Sequence, residues 1–159
     1  PDGKIILQQY IEPADQSITR VELVGGQFLF AMKSSTEEGF ELCPSDVCQL
    51  KIQNEKGPDI CPIDGGSDKF SPSQITNHDP LVKKYLRMLH NEGIDVAGIE
   101  FVEDKDGNRY TYDINGTTNY NAKLGEKIGV DGMRELAKFI HRDFFQSQQG
   151  SYPSLRSCG

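Results

Sequence analysis

Three oxygen-bearing side chains, Glu100, Asp113 and Asn115, stand where two short strands would face each other. Val96–Val102 is apolar enough for a buried strand, and Arg109–Ile114 alternates polar and apolar residues like a second one. Between them, Glu103-Asp104-Lys105-Asp106-Gly107-Asn108 is dense in turn formers, so the pair predicts a hairpin. Residues two apart on a strand share a side, which puts the three donors on one face. Two carboxylates and an amide oxygen form a hard, all-oxygen set suited to Mg²⁺ or Mn²⁺, with water and phosphate oxygens completing the shell. The competing description is a solvated acidic hairpin. Ile114 weighs against it, because an apolar residue between Asp113 and Asn115 marks a strand whose far side is buried.

Other elements must hold this hairpin. Lys4–Ile11 has the β-branched and aromatic content of a strand, closed by a turn at Glu12-Pro13-Ala14-Asp15. Ile18–Leu23 and Gln27–Lys33 are two more strands, joined by Val24-Gly25-Gly26-Gln27, with Leu23, Phe28, Phe30 and Met32 as sheet-core residues. Ser34 to Ser71 is a long irregular stretch that either lies over a site or is a surface excursion. Asp79-Pro80 then caps and starts a helix that Gly93 ends, with Leu81, Tyr85, Leu86 and Leu89 facing the core. His78 and His90, at its ends, are read as capping or exposed residues rather than ligands. A short helix is expected at Ala122–Lys127. A last amphipathic helix is expected from about Asp131 to Phe144, with Met133, Leu136, Ala137, Ile140 and Phe144 inward. Residues 146–159, rich in Ser, Gln and Gly, are expected to be a disordered tail.

Composition narrows the function. A chain of 159 residues with 26% charged and 36% apolar residues is globular and of single-domain size. Its net charge of -7, without a Lys/Arg stripe, argues against nucleic-acid binding. No apolar run approaches the roughly 20 residues that cross a bilayer, and a cytoplasmic location is expected. The chain opens at Pro1, which is read as processing or as a piece of something longer. Cys43, Cys48, Cys61 and Cys158 match no tight zinc spacing; free thiols are the plainer reading beside a three-Cys metal site or a Cys43–Cys48 disulfide.

Three stretches in this order resemble the carboxy-terminal part of the ATP-grasp superfamily, in the branch of glutamate-ligase and glutathione-synthetase-like carboxylate–amine ligases. QQYIEPADQSITRVELVGGQFLFAMK is similar to that family's hinge strand and following hairpin. AGIEFVED is similar to the strand bearing its first metal carboxylate, and YDINGTTNYN to the segment bearing the second carboxylate and the amide. The resemblance implies an α+β fold, mostly antiparallel sheet with helices packed on one face, over residues 1–145. It implies Gln9, Tyr10 and Ile11 as the adenine hinge, Asp15 near the ribose, and Arg20 on phosphate or transferring charge. Glu100, Asp113 and Asn115 would hold Mg²⁺ (or Mn²⁺) on ATP, and Asn119 and Asn121 would orient the acceptor.

The implied chemistry is amide formation between a small-molecule or peptide carboxylate and an amine, through an acylphosphate. It asks the protein for alignment and charge neutralisation rather than for a nucleophilic side chain. The family's amino-terminal lobe, with its lysines and glycine-rich loop, is not found upstream of Lys4, so the chain alone is expected to be inactive. Two departures matter. Asp113 stands where the peptide ligases mostly have Glu, which keeps an inositol-phosphate or small-molecule kinase as the alternative, with a non-catalytic nucleotide-binding module as the third. Gly98 stands where several ligases place an Arg.

Overall fold

The computed structural model describes residues 5, 7–36, 69–116 and 120–149. Strands β1 (Ser17–Val24) and β2 (Gln27–Ser35) form the expected hairpin, turning at Gly25 and Gly26 with φ of 59° and 71°. Positive φ at both positions suits a hairpin connection and is cheap only for glycine. The short strand β3 (Phe70–Pro72) pairs with β2, and β4 (Val96–Glu103) with β1. Strand β5 (Arg109–Asn115) closes the sheet on β4, giving the antiparallel order β3-β2-β1-β4-β5. The turn between β4 and β5 is organised by Asp104, whose Oδ1 accepts from the amides of Asp106 and Asn108, each at 2.9 Å.

Helix α1 (Pro80–Glu92) starts where Asp79 Oδ1 accepts from the Leu81 amide at 2.8 Å, and it stops at Gly93 with φ 66°. Its Val82, Tyr85 and Leu89 pack on Val21, Leu23, Ala97, Ile99 and Phe101, while Leu81 and Leu86 are only partly buried. On the opposite face of the sheet, Leu124 of helix α2 (Ala122–Ile128) packs on Phe30 and Met32. The α+β class and the antiparallel sheet are as expected; the helices divide between the two faces, because Phe30 and Met32 leave an apolar patch on the second face as well.

Several expectations are corrected. Residues 7–11 form no strand, with Leu7 94% and Tyr10 68% exposed, because the ladder that a strand needs is not offered to them by any described strand. Ile114 is 45% exposed, since β5 is an edge strand beyond the reach of the core under α1. Helix α3 (Gly132–Gln149) continues into the segment expected to be tail. Its line of Met133, Ile140 and Phe144 faces outward rather than inward, each more than half exposed. The helix meets the β1–β2 hairpin through Phe139, which sits so close to Gly25 that a β-carbon there would be 2.5 Å from its ring; its Gly132 lies as tightly on Tyr120, just ahead of α2. Cys43, Cys48, Cys61, Cys158 and most of the long stretch after Ser35 fall outside the described residues. No described helix is long and apolar enough to cross a membrane.

Candidate functional site

Register brings the polar residues of three strands together. Arg20 on β1 pairs with Glu100 on β4, and Glu100 with Asp113 on β5. One step along, Glu22 pairs with Gly98 and Gly98 with Asn115. Directly opposite residues of antiparallel strands have β-carbons about 4.5–5.5 Å apart, so these six positions form two adjacent rows on one face. A bulge between Glu100 and Phe101 interrupts the second ladder and leaves Tyr112 unmatched beside Asp113.

The inner part of the patch is a sealed ion network. Arg20 Nε donates to Glu22 Oε1 at 2.5 Å, and its Nη1 donates to Glu100 Oε1 at 2.6 Å. The three side chains are 3%, 1% and 3% exposed, so neither pair is screened as a surface pair would be. Gly98 makes this possible. A β-carbon there would lie 2.0 Å from Arg20 Nη2 and 2.4 Å from Cζ, so the guanidinium rests in the space a side chain would fill. Burial works against the charge on Arg20, but Glu22 and Glu100 outweigh it and hold the guanidinium above its ordinary pKa. Glu22 is raised too, which for an acid opposes its charge: burial lifts its carboxyl above the ordinary value, Arg20 only partly offsets this, and the Glu100 charge adds to it. Its Oε2 is buried with no hydrogen-bond partner. The Tyr112 hydroxyl is buried beside Glu100 without a well-formed hydrogen bond, and burial together with the neighbouring Glu100 carboxylate pushes its pKa strongly upward.

The outer edge of the patch is open. Asp113 and Asn115 are half-buried, and Asn115 Nδ2 donates to Asp113 Oδ2 at 2.7 Å. That bond leaves Asp113 Oδ1 and Asn115 Oδ1 without a donor among the described residues. Among those residues no group of three or more His, Cys, Asp or Glu side chains is arranged to hold a metal. The set here is mixed, two carboxylates and an amide. Its hard oxygens, two of them undonated, fit a divalent cation that keeps part of its own water shell. The charges agree: Glu22, Glu100 and Asp113 against Arg20 leave an excess of two negative charges, which one divalent ion neutralises.

The remaining sequence candidates lie elsewhere. Asp15 accepts from Ser17 Oγ at 2.6 Å and pairs with Lys33, on the face of the sheet opposite Glu100. A groove of about 280 Å³ on that same face is lined by Asp15, Lys33, Glu103 and Arg109 over Phe101. Gln9, Tyr10 and Ile11 precede β1 outside any helix or strand, with Gln9 and Tyr10 exposed. Asn121 is a helix cap: its Oδ1 accepts from the Leu124 amide at 2.8 Å, and it is 9% exposed, so that oxygen is already engaged by α2. Asn119 lies outside the described residues. His78 and His90 are exposed, as expected. Glu22 was not singled out in the sequence. Its signal was there, as a Glu two residues from an Arg and set between Val21 and Leu23.

No protein-family model and no curated protein matches the chain. Solved structures do. The ATP-grasp ligase PsnB, complexed with a phosphomimetic variant of its minimal precursor, Mg and ADP, matches over 84% of this chain with a TM-score of 0.51 and 15% identity. The chain has the fold of a part of that ATP-grasp ligase. The macrocyclase MdnB from Microcystis aeruginosa MRC also matches, with a TM-score of 0.44 and 13% identity over 75% of this chain. The chain spans about a third of the length of these structures, 34% of each.

Proposed function

We propose that the chain is the carboxy-terminal part of the ATP-grasp domain of an ATP-dependent carboxylate–amine ligase, working through an acylphosphate. The observation that carries this reading is the alignment of Arg20, Glu100, Asp113 and Asn115 across three adjacent strands of an ATP-grasp fold. Glu100, Asp113 and Asn115 are the residues that would hold Mg²⁺. When bound, the ion supplies Lewis-acid stabilisation of phosphate oxygens and a template for the nucleotide. PsnB, complexed with Mg and ADP, supports that pairing of ion and nucleotide.

This chain's own residues supply fixed charge. Arg20 is permanently protonated and held at both ends of its fork, so it offers positive charge without reorganising at the moment of transfer. Asp113 and Asn115 present oxygens at the open edge, where a ligand arrives from solvent. Burial of Glu22, Arg20 and Glu100 keeps water from the inner row and strengthens each electrostatic contact there. No described side chain is needed as a covalent nucleophile, in keeping with phosphoryl transfer driven by alignment and charge. The acceptor in this reading is a small-molecule or peptide carboxylate, and the second substrate an amine. A further lobe closes over the nucleotide.

The test is calorimetry of Mg·ATP on the full polypeptide that carries this chain, with the metal present and then removed by chelation. Binding that depends on the metal, and that falls at least about tenfold in Asp113→Ala, supports the reading. Absence of nucleotide binding, or binding indifferent to the metal and to Asp113, overturns it.

A further inference from the structure

The inner ion network has one carboxylate more than its arginine requires, and that surplus residue is Glu22. It is 0% exposed, its Oε1 is bound to Arg20 Nε at 2.5 Å, and its Oε2 meets no donor. An unsatisfied, fully buried carboxylate oxygen costs stability, and the single bond to Arg20 offsets that cost only in part. Glu100 faces the opposite difficulty. Its Oε1 is taken by Arg20, so a cation approaching Glu100 from Asp113 and Asn115 draws on the same carboxylate charge that neutralises the guanidinium. If Glu100 were the only counter-charge, releasing it would strand a buried guanidinium. The guanidinium lies over Gly98, in the space above the β4 backbone, and Arg20 is only 2% exposed.

We infer that Glu22 is a positioning residue: it retains Arg20 over Gly98 when a divalent cation takes Glu100, without itself touching cation or nucleotide. This rests on the proposed function for the identity of the ligand, and on the geometry alone for the role of Glu22. Before a cation arrives, Arg20 is shared between two carboxylates. With the charge of Glu100 drawn to a cation, Glu22 would be the carboxylate left to neutralise Arg20 and hold it over Gly98 through the bond to Nε. No proton or electron would change hands.

The residue's two effects have opposite signs, which makes the inference testable. In Glu22→Gln the amide oxygen still reaches Nε, but the buried surplus charge is gone. The folded protein should be as stable as wild type or more so. Cation affinity should nevertheless fall by at least about tenfold, because a nearby buried negative charge has been removed and Arg20 now depends on Glu100. Glu22→Asp keeps the charge and shortens the reach, so it should retain affinity within about threefold while losing stability. A purely structural role would move stability and affinity in the same order.

The experiment titrates the full polypeptide with Mn²⁺ alone, followed by its paramagnetic signal, and separately with Mg·ATP by calorimetry, with thermal midpoints for each variant. Weaker Mn²⁺ binding in Glu22→Gln with an undiminished midpoint, and retention in Glu22→Asp, supports the inference whether or not ATP binds. Wild-type and Glu22→Gln affinities within twofold of each other overturn it and leave the proposed function standing. A wild-type protein that binds neither Mn²⁺ nor Mg·ATP overturns both.

Discussion

Substituting alanine at Gly98 is the sharpest probe of how the patch is built, because it disturbs Arg20 without altering any charged residue. The new β-carbon would lie 2.0 Å from Nη2, 2.4 Å from Cζ and 2.8 Å from Nε. Ordinary carbon contacts begin near 3.5 Å, so the guanidinium has to move by more than about 1 Å. Such a shift stretches the 2.5 Å bond to Glu22 and the 2.6 Å bond to Glu100 beyond hydrogen-bonding range together. Three side chains no more than 3% exposed would then be left as uncompensated or poorly paired charges. Breaking a buried pair costs about 3–5 kcal/mol, against a total stability of roughly 5–15 kcal/mol for a domain of this kind. A general Gly-to-Ala change in a strand should instead be neutral or slightly favourable. Urea unfolding followed by circular dichroism measures the difference. The control is Gly98→Ala in an Arg20→Met background, where the slimmer, uncharged side chain should remove most of the penalty. A loss under about 1 kcal/mol in the wild-type background, or an equal loss in both backgrounds, would refute the idea that Gly98 exists to seat Arg20.

Other outcomes follow from the same geometry. Asp113→Ala should lower turnover of the intact enzyme by at least about 100-fold with little change in thermal midpoint, as steady-state kinetics on the full polypeptide would reveal. Burial raises the Glu22 carboxyl above its ordinary 4.5, so the folded protein binds that proton more tightly than the unfolded chain does. Its contribution is therefore complete below that value and is lost as pH rises through the folded pKa; urea midpoints across about pH 4–8 should show a decline that Glu22→Gln flattens. At Asp79 burial is outweighed by Arg109 and the Leu81 amide, and the carboxyl sits below its ordinary 3.8, so its stabilisation is present above that value and lost on acidification. Asp79→Ala should cost about 1–2 kcal/mol at neutral pH by denaturant titration, and little once the wild-type carboxyl is protonated. Asn121→Ala should lower stability by about 1 kcal/mol through its lost cap and leave the KM for the acceptor carboxylate unchanged in the full polypeptide, whereas a raised acceptor KM at constant stability would restore it as an acceptor-orienting residue.

What could be read in advance followed from signals that act over a few residues. Asp79-Pro80 and Gly93 bracket α1 because a cap, a proline at the first turn and a left-handed terminator work locally. Gly25-Gly26 sets its hairpin for the same reason. The strands bearing Glu100 and Asp113 were visible from apolar run and alternation, and their register follows from the short turn at Asp104. Failures came where a residue's fate depends on a distant neighbour. Leu7 and Tyr10 have strand-like character, yet a strand exists only when another edge accepts it. The period of Met133, Ile140 and Phe144 announces a helix but not which side of it meets the sheet; Phe139 on Gly25 decides that. Glu22 was overlooked because its environment is made by Arg20, Gly98 and Glu100, two of them nearly eighty positions away. Asn121 looked like a substrate contact by its place after the Asp-x-Asn run, and the Leu124 amide claimed its oxygen instead.

The vacancy above residue 98 also makes a statement about ancestry. So long as position 20 keeps a long cationic side chain leaning across β4, position 98 can accept no side chain at all, and the two sites are bound to drift together or not at all. Descendants of this sequence that gain a β-carbon at 98 should be those that have first shortened residue 20, and such pairs can be sought by comparing sequences, with no assay of activity.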